Sequence, residues 1–223
     1  MIVRPAYSCS QRGVGRRYSS LLRHSLAVCL ALLAASPILT VGTIASADPE
    51  WQSVRSTSDG IVVSRRPGRT SGFYELRFEA RSLLPPDRFE ASVWESFQVA
   101  RPPVRRRDFL VRQPDEIVFH DQIKVAVVSD REYTMRIVRE RQGEVLRLSF
   151  GTRPELGPPP ADGYVTIPIV RGTWEFHQEG SGTAVVYTLY SEPGGSVPAF
   201  LVRAAQQDEA LEDVRHALKD ASR

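Results

Sequence analysis

Ser191-Glu192-Pro193-Gly194-Gly195-Ser196-Val197-Pro198-Ala199-Phe200-Leu201-Val202 is where this chain stops being a strand and becomes a long helix. Two prolines and two glycines within eight residues break the extended backbone and reset its direction. Beyond them Phe200, Ala204, Gln207, Leu211, Val214 and Leu218 recur at steps of four and three, so one face of a helix carries a nearly unbroken apolar stripe. From 197 to 220 such a helix spans roughly 36 Å at about 1.5 Å per residue, enough to cross a small domain. The segments before it read as strands with one apolar face, and a face of that kind needs a cover. The final helix is that cover, and any space left between helix and sheet is a ligand cavity.

Working back from the helix, two strands at 164–178 and 183–191 meet at the turn Glu179-Gly180-Ser181-Gly182. Before them 153–163 holds Pro154, Pro158, Pro159 and Pro160 and reads as a stiff surface loop, with a flap over a cavity mouth as the functional alternative. Strands at 108–112, 116–128, 131–139 and 144–151 follow one another at short turns, which is a meander. Residues 101–108 read as a basic, proline-containing connection. A short helix runs from 83 to about 98, with Phe89, Val93, Trp94 and Phe97 at helical spacing. Residues 73–80 form a strand whose buried side is Tyr74, Leu76, Phe78 and Ala80. The opening segment 51–65 reads as a helix end or strand with a turn at Ser58-Asp59-Gly60. This order of elements is α+β, a curved antiparallel sheet wrapped around a long C-terminal helix.

Residues 1–47 read as a signal peptide. Arg4, Arg12, Arg16, Arg17 and Arg23 give a basic start, 26–35 are apolar, and Ala45-Ser46-Ala47 has the small-x-small form of a cleavage site. The domain is then 48–223, exported to the periplasm or the extracellular space. The full chain has 29 basic and 26 acidic side chains; residues 1–47 hold five of the former and none of the latter, so 48–223 carries 24 against 26. A net charge of −2 argues against nucleic acid as a partner. Cys9 and Cys29 both lie before residue 48, so a cleaved domain depends on its core rather than on cross-links.

Sites for chemistry are sparse. His120, His177 and His216 read as solvated side chains; His120 and Asp121 are adjacent on a strand, point to opposite faces and cannot share a metal. No zinc spacing, phosphate loop or dinucleotide fingerprint is present, and Ser181 sits in a hairpin turn. Neither a metal nor a cofactor is expected, and no catalytic residue is assigned. Arg105-Arg106-Arg107 reads as a solvated loop, with contact to acidic lipid headgroups as its alternative.

Four matches in order then resemble one family: Trp51 followed by Asp59-Gly60-Ile61-Val62-Val63; Ser129-Asp130-Arg131-Glu132-Tyr133; Arg171-Gly172-Thr173-Trp174-Glu175-Phe176; and the strand-to-helix segment quoted first. Together they resemble a START domain, a StAR-related lipid-transfer domain of the kind in exported bacterial proteins. The resemblance implies a helix-grip fold and a tunnel for one apolar molecule such as a lipid or sterol. It also implies a drier tunnel than in some sterol-binding relatives, because Ile137 stands where those carry an arginine. Strand alternation supplies the candidate lining: Tyr133, Met135 and Ile137; Leu148 and Phe150; Ile169; Trp174 and Phe176; Tyr187 and Leu189; with Phe200 and Ala204 from the helix. Without the resemblance the same residues read equally well as a filled core. The expected function is binding, and transfer, of a hydrophobic small molecule by a monomer, with transient membrane contact and without enzymatic activity. The alternative is a helix-grip enzyme of cyclase or hydrolase type acting on a small hydrophobic substrate.

Overall fold

Period-two alternation builds nearly everything between the two helices. The computed structural model describes residues 50–68, 72–125, 129–195 and 199–223, with backbone alone for 199–201. Residues 1–47, expected to be a signal peptide, lie outside the described residues, as does the end of the strand expected over 116–128. The strands are β1 (Gln52–Ser56), β2 (Val62–Pro67), β3 (Tyr74–Ser82), β4 (Val104–Arg112), β5 (Glu116–Ile123), β6 (Asp130–Gln142), β7 (Val145–Thr152), β8 (Tyr164–Thr166), β9 (Ile169–Glu179) and β10 (Gly182–Glu192). They form one sheet in the order β1-β2-β3-β10-β9-β7-β6-β5-β4, antiparallel throughout, with β8 added parallel to β6.

Two helices cover one face. The first, α1 (Pro86–Gln98), starts with proline at its first position, where a missing N–H costs nothing, and buries Phe89, Val93 and Trp94 against β7 and β9. It also carries the chain from the middle of the sheet to the far edge, where β4 begins. The second, α2 (Ala199–Asp220), packs on β3 and α1. Its buried stripe is Ala210, Leu211, Val214, Ala217 and Ala221, so Leu211 and Val214 of the expected stripe face the core while Ala204 is exposed. Alanines on this face let the helix lie close to its neighbours. Entry to α2 depends on Gly194 and Gly195, both at positive φ (69° and 66°). A side chain at Gly194 would also stand 2.7 Å from the Thr166 carbonyl.

The connection at 101–108 is not a loop but largely strand, because β4 begins at Val104, and of the two readings of the opening segment the strand holds, as a hairpin of β1 and β2. The strand expected over 164–178 is two strands, β8 and β9, separated at Pro168, which has no N–H to give to a ladder. The proline-rich loop does not reach a cavity mouth. It folds onto the convex face of the sheet, where the Ala161 N–H donates to Glu132 Oε1 at 3.0 Å and the Gly157 backbone lies against the Thr134 side chain.

The convex face is otherwise laced with cross-strand ion pairs such as Arg147–Glu175 at 2.6 Å, Arg66–Glu75 at 2.7 Å and Arg136–Glu116 at 2.5 Å. Each contributes roughly 0–1 kcal/mol, so stability rests on the concave side. There Phe78, Phe89, Ile137, Leu148, Phe176 and Val214 are essentially inaccessible to water. Each such side chain contributes about 1.5–3 kcal/mol through burial.

Candidate functional site

A row of three paired residues crosses β4, β5 and β6 on the concave face. Arg107 is in register with Asp121, and Asp121 with Tyr133. The Arg107 guanidinium donates to both Asp121 oxygens, at 2.7 and 2.6 Å, and to the carbonyls of Phe97 and Val99 at 2.7 and 3.3 Å. Those carbonyls belong to the end of α1, which has no basic residue of its own in its last turn, so Arg107 caps it from the sheet. The guanidinium also lies 3.7 Å above the Phe119 ring. Asp121 is 0% exposed and the Arg107 side chain 9%. The Tyr133 hydroxyl completes the network by donating to Asp121 Oδ2 at 3.0 Å. Burial, and next the Asp121 charge, push the Tyr133 phenol well above its ordinary range, so it remains a hydrogen-bond donor.

This finding corrects the reading of Arg107 as a solvated loop cation. Ile137 is indeed fully buried and apolar, but Arg107 brings an interior charge from a different strand. His120 is likewise not solvated: it is 6% exposed, with Nδ1 3.0 Å from Thr134 Oγ1 and Nε2 3.6 Å from Glu132 Oε2, beneath the proline-rich loop.

Beside the network, aromatic rings form a wall. Trp174 and Tyr187 are cross-strand partners stacked at 4.0 Å between centroids, and Tyr187 meets Phe150 at 6.2 Å and Phe78 at 5.8 Å. Phe97 of α1 meets Phe150 at 5.9 Å. Gly172 makes room for this wall, since a side chain there would stand 2.4 Å from the Phe150 ring and 2.1 Å from the Thr188 carbonyl. Wall, network, α1 and α2 border a cavity of about 250 Å³ that opens to solvent. That is near the lower end of the roughly 300–1,000 Å³ typical of small-molecule sites. Its fourth side is the polar face of α2, with Asp213, His216 and Asp220 lining the cavity and Glu209 one turn before Asp213. Both Glu209 and Asp213 are reached by water, yet protein encloses them on most sides. Burial therefore raises the Glu209 carboxyl, and burial followed by the Glu209 charge raises Asp213 to about 7.

Of the residues expected to line a tunnel, Tyr133, Met135, Phe150, Trp174 and Tyr187 meet around this cavity. Ile137, Leu148 and Phe176 lie behind it as closed core, and Leu189 is partly buried against that core. Ile169 lies on the convex side, in a groove with Arg136 and Pro168. It is five residues from Trp174, an odd number, and β9 runs unbroken between them, so the two cannot share a face. Ala204 lines a separate groove of about 380 Å³ with Arg65, Tyr74 and Arg203. The Phe200 side chain lies outside the described residues. Arg107, Phe119, Ser92, Ser96 and the acidic face of α2 escape a search for apolar alternation. Charged residues spaced 213, 216 and 220 along the helix are their one signal.

Among the described residues no three metal-ligating side chains gather, and no helix is long and apolar enough to cross a membrane.

With the geometry in place, known structures become informative. The chain superposes on a STAR-related lipid transfer protein from Xanthomonas axonopodis with a TM-score of 0.65 at 20% identity, covering 78% of this chain and 99% of that one. This chain has the helix-grip fold of START domains. Human STARD10 superposes at 0.62 with 13% identity, over 77% of this chain and 72% of that one. Human StAR-related lipid transfer protein 5 does so at 0.60 with 15% identity, over 77% and 86%. No protein-family model matches the chain, and no curated protein does. The helix-grip likeness accounts for the curved sheet, the crossing helix α1 and the closing helix α2. The identity of a ligand must come from the cavity itself.

Proposed function

We propose that this helix-grip chain binds one small, largely apolar molecule between α2 and the sheet and carries it unchanged. The observation that carries this reading is the aromatic-walled cavity of about 250 Å³, bordered by two helices and furnished with a few polar tips. Its volume equals that of about eight waters at about 30 Å³ each, so a short-chain or ring-sized molecule fits as the structure stands. A longer lipid requires α2 to swing on Gly194 and Gly195. Lipid is the class to try first, because the superposed proteins are described as lipid-transfer proteins.

Transfer, export and membrane contact belong to the same proposal. Export rests on the basic and apolar pattern of residues 1–47. Contact with an anionic membrane rests on the cavity rim, where exposed Val99 and Arg101 line the opening and Arg105 and Arg106 follow. Each basic residue there contributes about 1 kcal/mol near an anionic surface. The domain is proposed to act as a monomer.

Titration of the purified protein with octanol and octanoic acid, followed by Trp fluorescence and calorimetry, tests the binding. Ser96→Trp places a bulky ring from α1 into the cavity; uptake should be lost while circular dichroism is unchanged. Unaltered uptake by the Ser96→Trp protein would contradict this location. A second reading, an enzyme acting on a hydrophobic substrate, is favoured by the Asp213 carboxyl held near 7 among aromatic rings. Recovery of bound molecules chemically unchanged after prolonged incubation would exclude it.

A further inference from the structure

The cavity has an aromatic wall, the Arg107 network and α1 on three sides and the acidic face of α2 on the fourth, where Asp213 has no ion pair among the described residues. Among the described lining residues the basic ones are Arg107, Arg101 and His216. Arg107 is fully engaged with Asp121, two carbonyls and the Phe119 ring. Arg101 stands at the rim, 3.9 Å from Asp220, which Arg223 also approaches to 3.3 Å. His216 is exposed, one turn beyond Asp213. Asp213, exposed to water, is thus left lining the cavity with no ion-pair partner among the described residues, and exposed Glu209 stands one turn before it.

A second, independent feature points the same way. Tyr187 is 4% exposed and lines the cavity, yet its hydroxyl has no hydrogen-bond partner among the described residues. Trp174, also 4% exposed, lines the cavity with its indole N–H likewise unpartnered. Both residues border the cavity; the Tyr187 hydroxyl accepts a hydrogen bond from a ligand's donor, whereas the Trp174 N–H only donates. The Trp174 and Tyr187 rings stack on each other and are flanked by Phe176 and Phe78, so they build the wall, and the Asp213 charge lies near enough to raise the Tyr187 phenol further after burial.

We propose that the ligand of this cavity carries a cationic amine, held by Asp213 and the Tyr187 hydroxyl. The proposal rests on the binding reading above and narrows it to one ligand class. A fatty acid or phosphate ester would bring a like charge to the acidic face of α2. A neutral alcohol would satisfy Tyr187 but leave both acids uncompensated. An amine supplies the charge and donates hydrogen bonds as well. Burial and then the Glu209 charge outweigh the pull of Arg101 and raise the Asp213 carboxyl, a shift that a ligand cation would reverse.

The experiment is calorimetry at pH 7.5 with three ligands that share one tail: octylamine, octanol and octanoic acid. Octylamine, protonated at this pH, should bind at least about tenfold tighter than octanol, and octanoate should bind weakest. In Asp213→Asn the preference for amine over alcohol should shrink to about twofold; Glu209→Gln should fall between. Octanol binding as tightly as octylamine in the unmodified protein would overturn the amine assignment while leaving the cavity reading intact. A preference that survives Asp213→Asn would overturn it too. Binding of none of the three would remove the cavity reading and the amine assignment together.

Discussion

His120 and Asp121 are neighbours in sequence, both are buried, and they serve opposite sides of the sheet. On the concave side Asp121 joins Arg107 and Tyr133 in a network with every strong group matched, and that network forms one wall of the cavity. On the convex side His120, Thr134 and Glu132 sit beneath the proline-rich loop, where Glu132 Oε1 receives the Ala161 N–H but Oε2 has no hydrogen-bond partner. One strand pair therefore supports two different jobs: holding a helix end and a binding wall in place, and pinning a loop. The lesson is that burial of a charged residue does not mark a functional site by itself; the face it occupies does.

Separating the two faces is a matter of substitution. The largest effect should come from Arg107→Ala, which leaves Asp121 charged and unpaired at 0% exposure and also uncaps α1. A loss of about 3–5 kcal/mol in urea unfolding is expected, together with loss of octanol uptake. Glu132→Ala should cost less, about 1–3 kcal/mol, by freeing the loop backbone. It should speed proteolysis within 153–163 and leave uptake intact. If Glu132→Ala abolished uptake while Arg107→Ala spared it, the assignment of faces would be reversed.

A smaller effect distinguishes the acidic face of α2 from both. Asp213 has a folded pKa raised to about 7, above its value of about 3.8 when unfolded. Between these values the folded protein holds more protons than the unfolded one, so stability falls as pH rises from about 4 to 7. Glu209 and Glu212 reinforce the shift and Arg101 opposes it. Asp213→Asn should therefore raise Tm at pH 8 by about 2–4 °C, an expectation held modest because the carboxylate touches water, and by less at pH 5. Equal changes at both pH values would remove the electrostatic explanation.

Much of the architecture is readable from the chain because sheet and helix periods are local. The apolar set Tyr74, Leu76, Phe78 and Ala80 identifies β3 and its inner face, and Phe89, Val93 and Trp94 identify α1. The wall residues Tyr133, Met135, Phe150, Trp174 and Tyr187 emerge from alternation for the same reason. What alternation cannot supply is pairing across strands. Arg107 looks like a loop cation until register places it opposite Asp121, and Ile169 looks like a lining residue until β9 proves continuous with Trp174 on the other face. The acidic face of α2 is not visible to a search for apolar alternation, because the apolar stripe alone accounts for the helix. A helix over a partly hollow sheet has two inward faces, and Asp213 belongs to the second.

Native mass spectrometry of the protein purified from its own host, followed by solvent extraction, bears on all of this. A carrier of one small ligand should show a single discrete added mass that extracts into organic solvent, and an amine in that extract would support the assignment to Asp213. A bare chain that also takes up none of octanol, octanoic acid or octylamine would contradict a ligand-carrying cavity.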